Sequence, residues 1–304
     1  KANNQGVAMA GGTHILILNP DTLIAEDTLR NVLQVSELKK DMGVLGVRFI
    51  DGSGRFLPES KRNFPDLMAA GLKLMGISRK YYARHIAEKE TAAVDILSGA
   101  FMFMKKSVFD QIGGFDEDFF MYGEDIDLSY RISQAGYTNY YFGGVTLLHY
   151  KGESTLKNAA HYQNFYGAMK LFYQKHLDRE PVSERLIGLI VNTAIRIKSL
   201  EKTKQAGSTK SFRKWIYFGN NQGIFDKIQN AYPGTTGEMM HSLPDFSIST
   251  DFLFYDSACF TFKEIIKFMS AHKDMLPRQR IISEDGTFFA GSDLSHTRGQ
   301  VVVF

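Results

Sequence analysis

The chain has 304 residues, enough for two domains at roughly 150 residues each. At 44% hydrophobic and 23% charged it has the makeup of a folded globular protein, which excludes a disordered, collagen-like or coiled-coil chain. Its 36 basic and 33 acidic side chains leave a net charge of +3, too small a surplus for nucleic acid to be the principal partner. The single cysteine, Cys259, excludes an internal disulfide and a CxxC metal site, and favours a reducing compartment. No apolar run has the roughly 18 residues of a membrane span. The best stretch, Leu186 to Ile195, is short and contains Asn192 and Thr193.

Residues 3–12 (NNQGVAMAGG) read as a helix with a small-residue face, closed by a glycine pair suited to a C-cap. The following HILILNPD is an apolar run ending in turn residues, and reads as a buried strand of a parallel sheet. A helix and then a buried strand, with no strand before them, predict a doubly wound α/β fold whose opening units are absent. Asp21-Thr22 precede a helix near residues 26–36, and a further helix begins near Glu124 with acids in its first turn.

Between Lys170 and Lys214 there are 11 Lys and Arg against 4 Asp and Glu, a local charge of +7. Within that span Val182 to Leu200 predicts a helix with a broad apolar arc. It reads either as packing on its own domain or as lying on an anionic membrane surface. The polar, small-residue stretch 202–211 predicts a linker and a domain boundary. Strands at 215–218, 252–256 and 280–283, a terminal QVVVF strand, and helices at 224–231 and 262–272 then predict a second, small α/β domain. The turn Gly219-Asn220-Asn221-Gln222-Gly223 opens the first of these helices. It reads either as a phosphate site or as a structural turn.

Three clusters carry chemistry. Asn19-Pro20-Asp21 ends a buried strand, and the crevice at strand carboxyl ends is where such sheets bind ligands. A carboxylate there suits Mg²⁺ or Mn²⁺, which prefer oxygen ligands, or it simply caps the helix that follows. Residues 113–131 (GGFDEDFFMYGEDIDLSYR) set six acids among aromatics. Asp127 lies four residues before Arg131, a stabilising helical pair. That leaves Glu124 and Asp125 at the helix mouth beside Phe119, Phe120 and Tyr122. Adjacent carboxylates near apolar rings are what a general base requires, one with raised proton affinity and one orienting it. His149 ends the run Val145–Leu148, either as a structural histidine or as a further metal ligand.

Taken together, AlaAsnAsnGlnGly (2–6), LeuAsnProAspThr (18–22), SerGlyAlaPheMet (98–102), residues 113–128 and His149 resemble the family 2 glycosyltransferases of the rhamnosyltransferase-like branch. The resemblance covers about residues 1–175. It implies a GT-A fold for residues 1–176, lacking the opening strand–helix units that bind the nucleobase, with 177–211 as basic helix and linker. Residues 212–304 loosely resemble the small Rossmann-like appendages of bacterial polysaccharide enzymes.

Position by position, the resemblance implies a donor site at Asn3, Asn4, Gly6, Asn19, Asp21, Ser98 and Gly99. Asp21 and His149 would hold a divalent metal and the donor diphosphate, with Asn19 standing where the stricter DxD motif has its first Asp. Glu124 and Asp125 would form the acidic pair of the acceptor site, with Asp125 the base of an inverting displacement. The implied partners are a nucleotide-sugar donor, with dTDP-rhamnose the natural choice, and a polysaccharide or polyprenyl-linked acceptor. The implied setting is bacterial envelope polysaccharide synthesis in the cytoplasm, with peripheral membrane contact through 182–214 and no nucleic acid. Two other classes stand beside this one: a non-catalytic scaffold or binding protein on a transferase fold, and a sugar nucleotidyltransferase.

Overall fold

A computed structural model describes residues 1–64, 81–150, 159–176, 213–245, 248–273, 278–293 and 299–304. The helix expected at 182–200, the linker at 202–211 and most of the +7 segment lie outside these residues. The described residues form two six-stranded sheets.

The first sheet is mixed. Helix α1 (Ala2–Met9) leads to β1 (His14–Leu18), the short β2 (Thr22–Leu23), α2 (Thr28–Leu38) and β3 (Met42–Ile50). β4 (Thr91–Ala93), β5 (Phe101–Lys105), α3 (Lys106–Ile112), α4 (Glu124–Gln134), β6 (Thr138–His149) and α5 (Ala159–His176) follow. The strand order is β1-β5-β3-β6-β2, with β4 on β6. All nine residues of β3 are buried, as its near-continuous apolar sequence requires, and β6 runs parallel beside it.

Two expectations need correction. β1 is not a parallel strand among the described residues: it pairs antiparallel with β5 along its whole length. An apolar run reports burial, not the direction of a neighbour. The first helix ends at Ala10 in extended backbone, ahead of the Gly11-Gly12 pair, so the glycines are not its cap. The helix at Glu124 starts where expected, with Gly123 as N-cap at φ 81°.

The second sheet contains β7 (Lys214–Phe218), α6 (Gln222–Ala231), β8 (Thr236–Met240), β9 (Phe252–Asp256) and α7 (Phe262–Ala271). β10 (Arg278–Ile282), β11 (Phe288–Gly291) and β12 (Gln300–Val303) complete it. β8, β7, β9 and β10 are parallel, and β11 and β12 add an antiparallel edge. β8 was not legible because TGEMM is only half-buried, and β11 because FFAG has no β-branched residue, unlike the equally short β12, QVVV. At the turn before α6, Asn221 accepts hydrogen bonds from the Gly223 and Ile224 amides. Its own side chain therefore closes the helix end that the phosphate reading needed.

The two sheets are joined by one apolar cluster. Ile50 and Leu148 of the first are buried with Leu253, Ile265, Ile266 and Met269 of the second. Around it, the Glu26 carboxylate accepts from the Phe262 and Lys263 amides at the start of α7, at 2.6 and 3.1 Å, and Lys263 pairs with Asp27. A carboxylate at a helix N-terminus is favoured by the helix dipole. The turn after β3 comes so close that a Cβ on Gly54 (φ +82°) would fall onto the Met269 carbonyl. Gly54→Ala should therefore cost about 2 kcal/mol or more, from positive φ plus lost packing between the sheets. Urea unfolding would show this as a lower midpoint, and an unchanged midpoint would mean the two sheets do not hold this contact in solution.

Candidate active site

The short strand β2 places Asp21. Thr22 pairs with His149 across the antiparallel β2–β6 contact, and the Tyr150 amide donates to the Asp21 carbonyl at 2.9 Å. The turn is tied off by Asn19, whose carbonyl accepts from the Thr22 hydroxyl at 2.6 Å. Asp21 Oδ1 thereby lies 3.3 Å from His149 Nε2. The hydrogen bond from His149 holds the Asp21 carboxyl below the usual carboxylate range. The imidazole is buried, edge-on to Phe49 at 5.8 Å between centroids, and its Nδ1 has no hydrogen-bond partner among the described residues.

The Asp21–His149 separation is that of two neighbouring ligands of one metal ion. Neighbouring ligands of an octahedral ion at about 2.1 Å stand about 3 Å apart, close to the separation found here. Among the described residues no group of three or more His, Cys, Asp or Glu gathers. The donor set fits an ion that takes two protein ligands and completes its shell with water and phosphate oxygens, as Mg²⁺ and Mn²⁺ do.

The acidic pair is built differently. Asp125 Oδ2 accepts from the Gly99 amide at 3.0 Å and from Arg62 Nη2 at 2.5 Å, while Oδ1 accepts from the Ile126 amide at 2.9 Å. Arg62 is buried, and the same Nη2 also donates to the Leu97 carbonyl. Burial opposes its charge, but Asp125 and Tyr81 together outweigh that and keep the guanidinium protonated. Glu124 has no such partner: its Oε2 is buried and unbonded among the described residues. Burial first, and then the charge of Asp125, push the Glu124 carboxyl up to about 7. The raised affinity falls on Glu124, not on Asp125, the residue expected to be the base, which the guanidinium and two amides hold in place. Phe119 is buried nearby, whereas Phe120 is 87% exposed and shields nothing.

The two clusters share a backbone. The Asn19 amide donates to the Ala100 carbonyl at 3.1 Å, and Ala100 follows Gly99, which holds Asp125. Ser98 lies in the same turn, its carbonyl accepting from the Phe101 amide. The other expected donor residues divide. Asn3 and Gly6 are exposed on α1, three residues apart. Asn4 clamps the Phe115 backbone, donating to its carbonyl and accepting from its amide, and so pins α1 to the acidic loop. Asp127 is fully buried between Arg131 and His176, confirming the helical pair. Sequence reasoning missed Arg62, which sits in a loop without periodicity. Its role depends on a partner 63 positions away.

Residues 1–165 match the family described as Glycosyltransferase like family 2. The match spans more than half of the chain, and the protein belongs to this family, with the α/β GT-A fold. Among curated relatives, the N-acetylglucosaminyl-diphospho-decaprenol L-rhamnosyltransferase of Mycobacterium tuberculosis is 30% identical over 164 residues, which is 50% of this chain and 53% of the relative. Rhamnosyltransferase WbbL of Escherichia coli K12 is 33% identical over 142 residues, 46% of this chain and 53% of its own. The chain thus spans about half the length of the curated relatives it matches. Among solved structures, GalNAc-T7 with UDP, GalNAc and Mn²⁺ aligns over 64% of this chain and 41% of its own, at 12% identity and a TM-score of 0.39, too low to bear on the fold.

Glu124 binds its proton more tightly when folded (about 7) than its ordinary 4.5, so this carboxyl favours the fold below about pH 4.5, and that contribution is lost as pH rises through about 7. Glu124→Gln should match the parent protein near pH 4 and exceed it by up to about 3 kcal/mol at pH 8. Thermal unfolding across that range would show a widening gap. A constant gap would mean that Glu124 titrates normally.

Proposed function

We propose that the protein is an inverting glycosyltransferase. It moves a sugar, rhamnose being the best candidate, from a nucleoside-diphosphate donor to a hydroxyl of a polysaccharide or lipid-linked saccharide. What carries this reading is the joining of the Asp21–His149 pair to the Glu124–Asp125 pair through the Asn19–Ala100 hydrogen bond and Gly99. The names of the relatives, both rhamnosyltransferases, support the choice of sugar. We divide the chain into a transferase unit at 1–176 and a second α/β unit at 212–304, joined through 177–211.

Asp21 and His149 would hold Mg²⁺ or Mn²⁺, which when bound supplies positive charge to the donor diphosphate. Asn19, Ser98 and Gly99 line the path from that pair to Asp125, where the donor sugar lies. Asn3 and Gly6 offer an exposed helix face to the nucleotide, and Asn4 holds that helix in place. The acceptor oxygen attacks the anomeric carbon, forming a new C–O bond as the bond to the diphosphate breaks. The electron pair of that bond leaves with the diphosphate oxygen. The hydroxyl proton passes to a carboxylate of the acidic pair.

The resemblance assigns that proton to Asp125. A second reading, favoured by the Arg62 ion pair on Asp125 and the raised affinity of Glu124, assigns it to Glu124, with Asp125 positioning the acceptor. No helix among the described residues is long and apolar enough to cross a membrane. The basic segment 182–214 is the one we assign to peripheral contact with anionic lipid on the cytoplasmic face.

Release of nucleoside diphosphate from a panel of nucleotide sugars, with and without Mn²⁺ or Mg²⁺, tests the reading. Metal-dependent release from one donor, lost in Asp21→Asn, is the expected result. No release from any donor by the folded protein would overturn it. Asp125→Asn and Glu124→Gln should each lower turnover by about 10² or more. Their pH profiles separate the two assignments. If Glu124 is the base, Glu124→Gln loses the rising limb near pH 7; if Asp125 is, residual Glu124→Gln activity keeps a pH-dependent rise.

A further inference from the structure

A cavity of about 470 Å³ opens between the two sheets, against residues next in sequence to the Asp21–His149 pair. One wall is Leu23, Glu26 and Tyr150. Leu23 lies two residues beyond Asp21, and Tyr150 follows His149 and donates its amide to the Asp21 carbonyl. The other wall is formed by the segments leaving β9 (from Ser257) and β10 (to Glu284). These are the carboxyl ends of neighbouring parallel strands, the place where open α/β sheets receive ligands.

The lining is specific in its chemistry. Tyr150, Phe260, Phe262 and Phe288 supply aromatic surface, and Phe288 is 39% exposed. Ser283 and the exposed Glu284 carboxylate supply polar groups, and no Lys, Arg or His is among the described lining residues. The positive end of α7 borders the space but is already closed, by Glu26 and by the Thr261–Glu264 capping box. Among the described residues a phosphate would therefore meet acid and no free cation. A second cavity among the described residues, about 580 Å³, is more basic, with Arg48, Lys89, Lys263, Lys267 and Lys273 set against Asp27 and Glu88. Aromatic faces with a carboxylate and a hydroxyl suit a neutral ligand that has both a C–H face and hydroxyl donors. A sugar ring is such a ligand.

We propose that this cavity binds an uncharged saccharide unit of the acceptor, so that the C-terminal unit takes part in acceptor recognition. The inference rests on the proposed transferase reading, in which the donor sugar occupies the Gly99–Asp125 side and the cavity is left for the acceptor chain.

Cys259 lines the cavity, is exposed, and is the single cysteine of the chain, so its alkylation reports occupancy without any turnover. The full chain would be labelled with N-ethylmaleimide in the presence of methyl glycosides of N-acetylglucosamine, glucose, galactose and rhamnose, and separately of pyrophosphate. One glycoside should slow labelling about tenfold at roughly ten times its Kd, while pyrophosphate leaves the rate unchanged. Glu284→Gln and Phe288→Ala should remove the protection yet keep acceptor-free donor hydrolysis. No protection by any glycoside, protection by pyrophosphate instead, or protection undiminished in both variants would overturn the proposal. Donor turnover without protection would defeat the cavity assignment alone. Protection without turnover from any donor would support the saccharide site and remove the transferase reading.

Discussion

The last three residues at the end of β6 and just beyond it bear the organisation of this protein. Successive side chains on a strand point to opposite faces. Leu148 enters the apolar cluster shared with the second sheet, and Tyr150 packs against that cluster. His149, between them, turns the other way, against Phe49 and toward Asp21. One strand end thus ties the core between the sheets to the chemistry beside it. A slip of one residue in register would exchange the two.

The two acidic clusters solve the problem of buried charge in different ways. Asp125 is compensated on every side, by the Arg62 guanidinium and by two backbone amides. Such a carboxylate is fixed in place, and removing Arg62 would leave it buried and unpaired. Glu124, buried with its Oε2 unbonded among the described residues, responds by holding its proton more tightly. A carboxyl of raised affinity beside an ion-paired carboxylate suits acid–base chemistry near neutral pH. Asp21 follows a third pattern, in which a single imidazole lowers the affinity of a carboxyl suited to a hard cation.

The second sheet is part of the same construction. Its helix α7 starts on the Glu26 carboxylate, and its Met269 carbonyl rests against the turn that follows β3. Both contacts come from segments adjoining β2 and β3, the neighbours of the Asp21–His149 pair. A unit docked there packs on the strand segments next to that pair and walls the cavity between the sheets.

Much of this was legible in the sequence, because it depends on local chemistry. The five short motifs marked the family, now borne out over residues 1–165. The first-turn acids placed the start of α4, and the four-residue spacing placed the Asp127–Arg131 pair. The strand FLFYD and the helix after it were read almost to the residue. Other features depend on which segments meet, and no local pattern records that. The antiparallel partner of β1 is one, since an apolar run fits either direction. The use of Asn4 as a backbone clamp is another. So is Arg62, a loop residue that acquires meaning only when it reaches Asp125 across 63 positions. Residue types and spacings determined the class of chemistry, because helix caps, strand ends and carboxylate pairs act over a few residues. Tertiary structure alone decided which carboxyl is neutralised and which keeps its proton, because proton affinity follows burial and neighbouring charge, and both are set by distant parts of the chain.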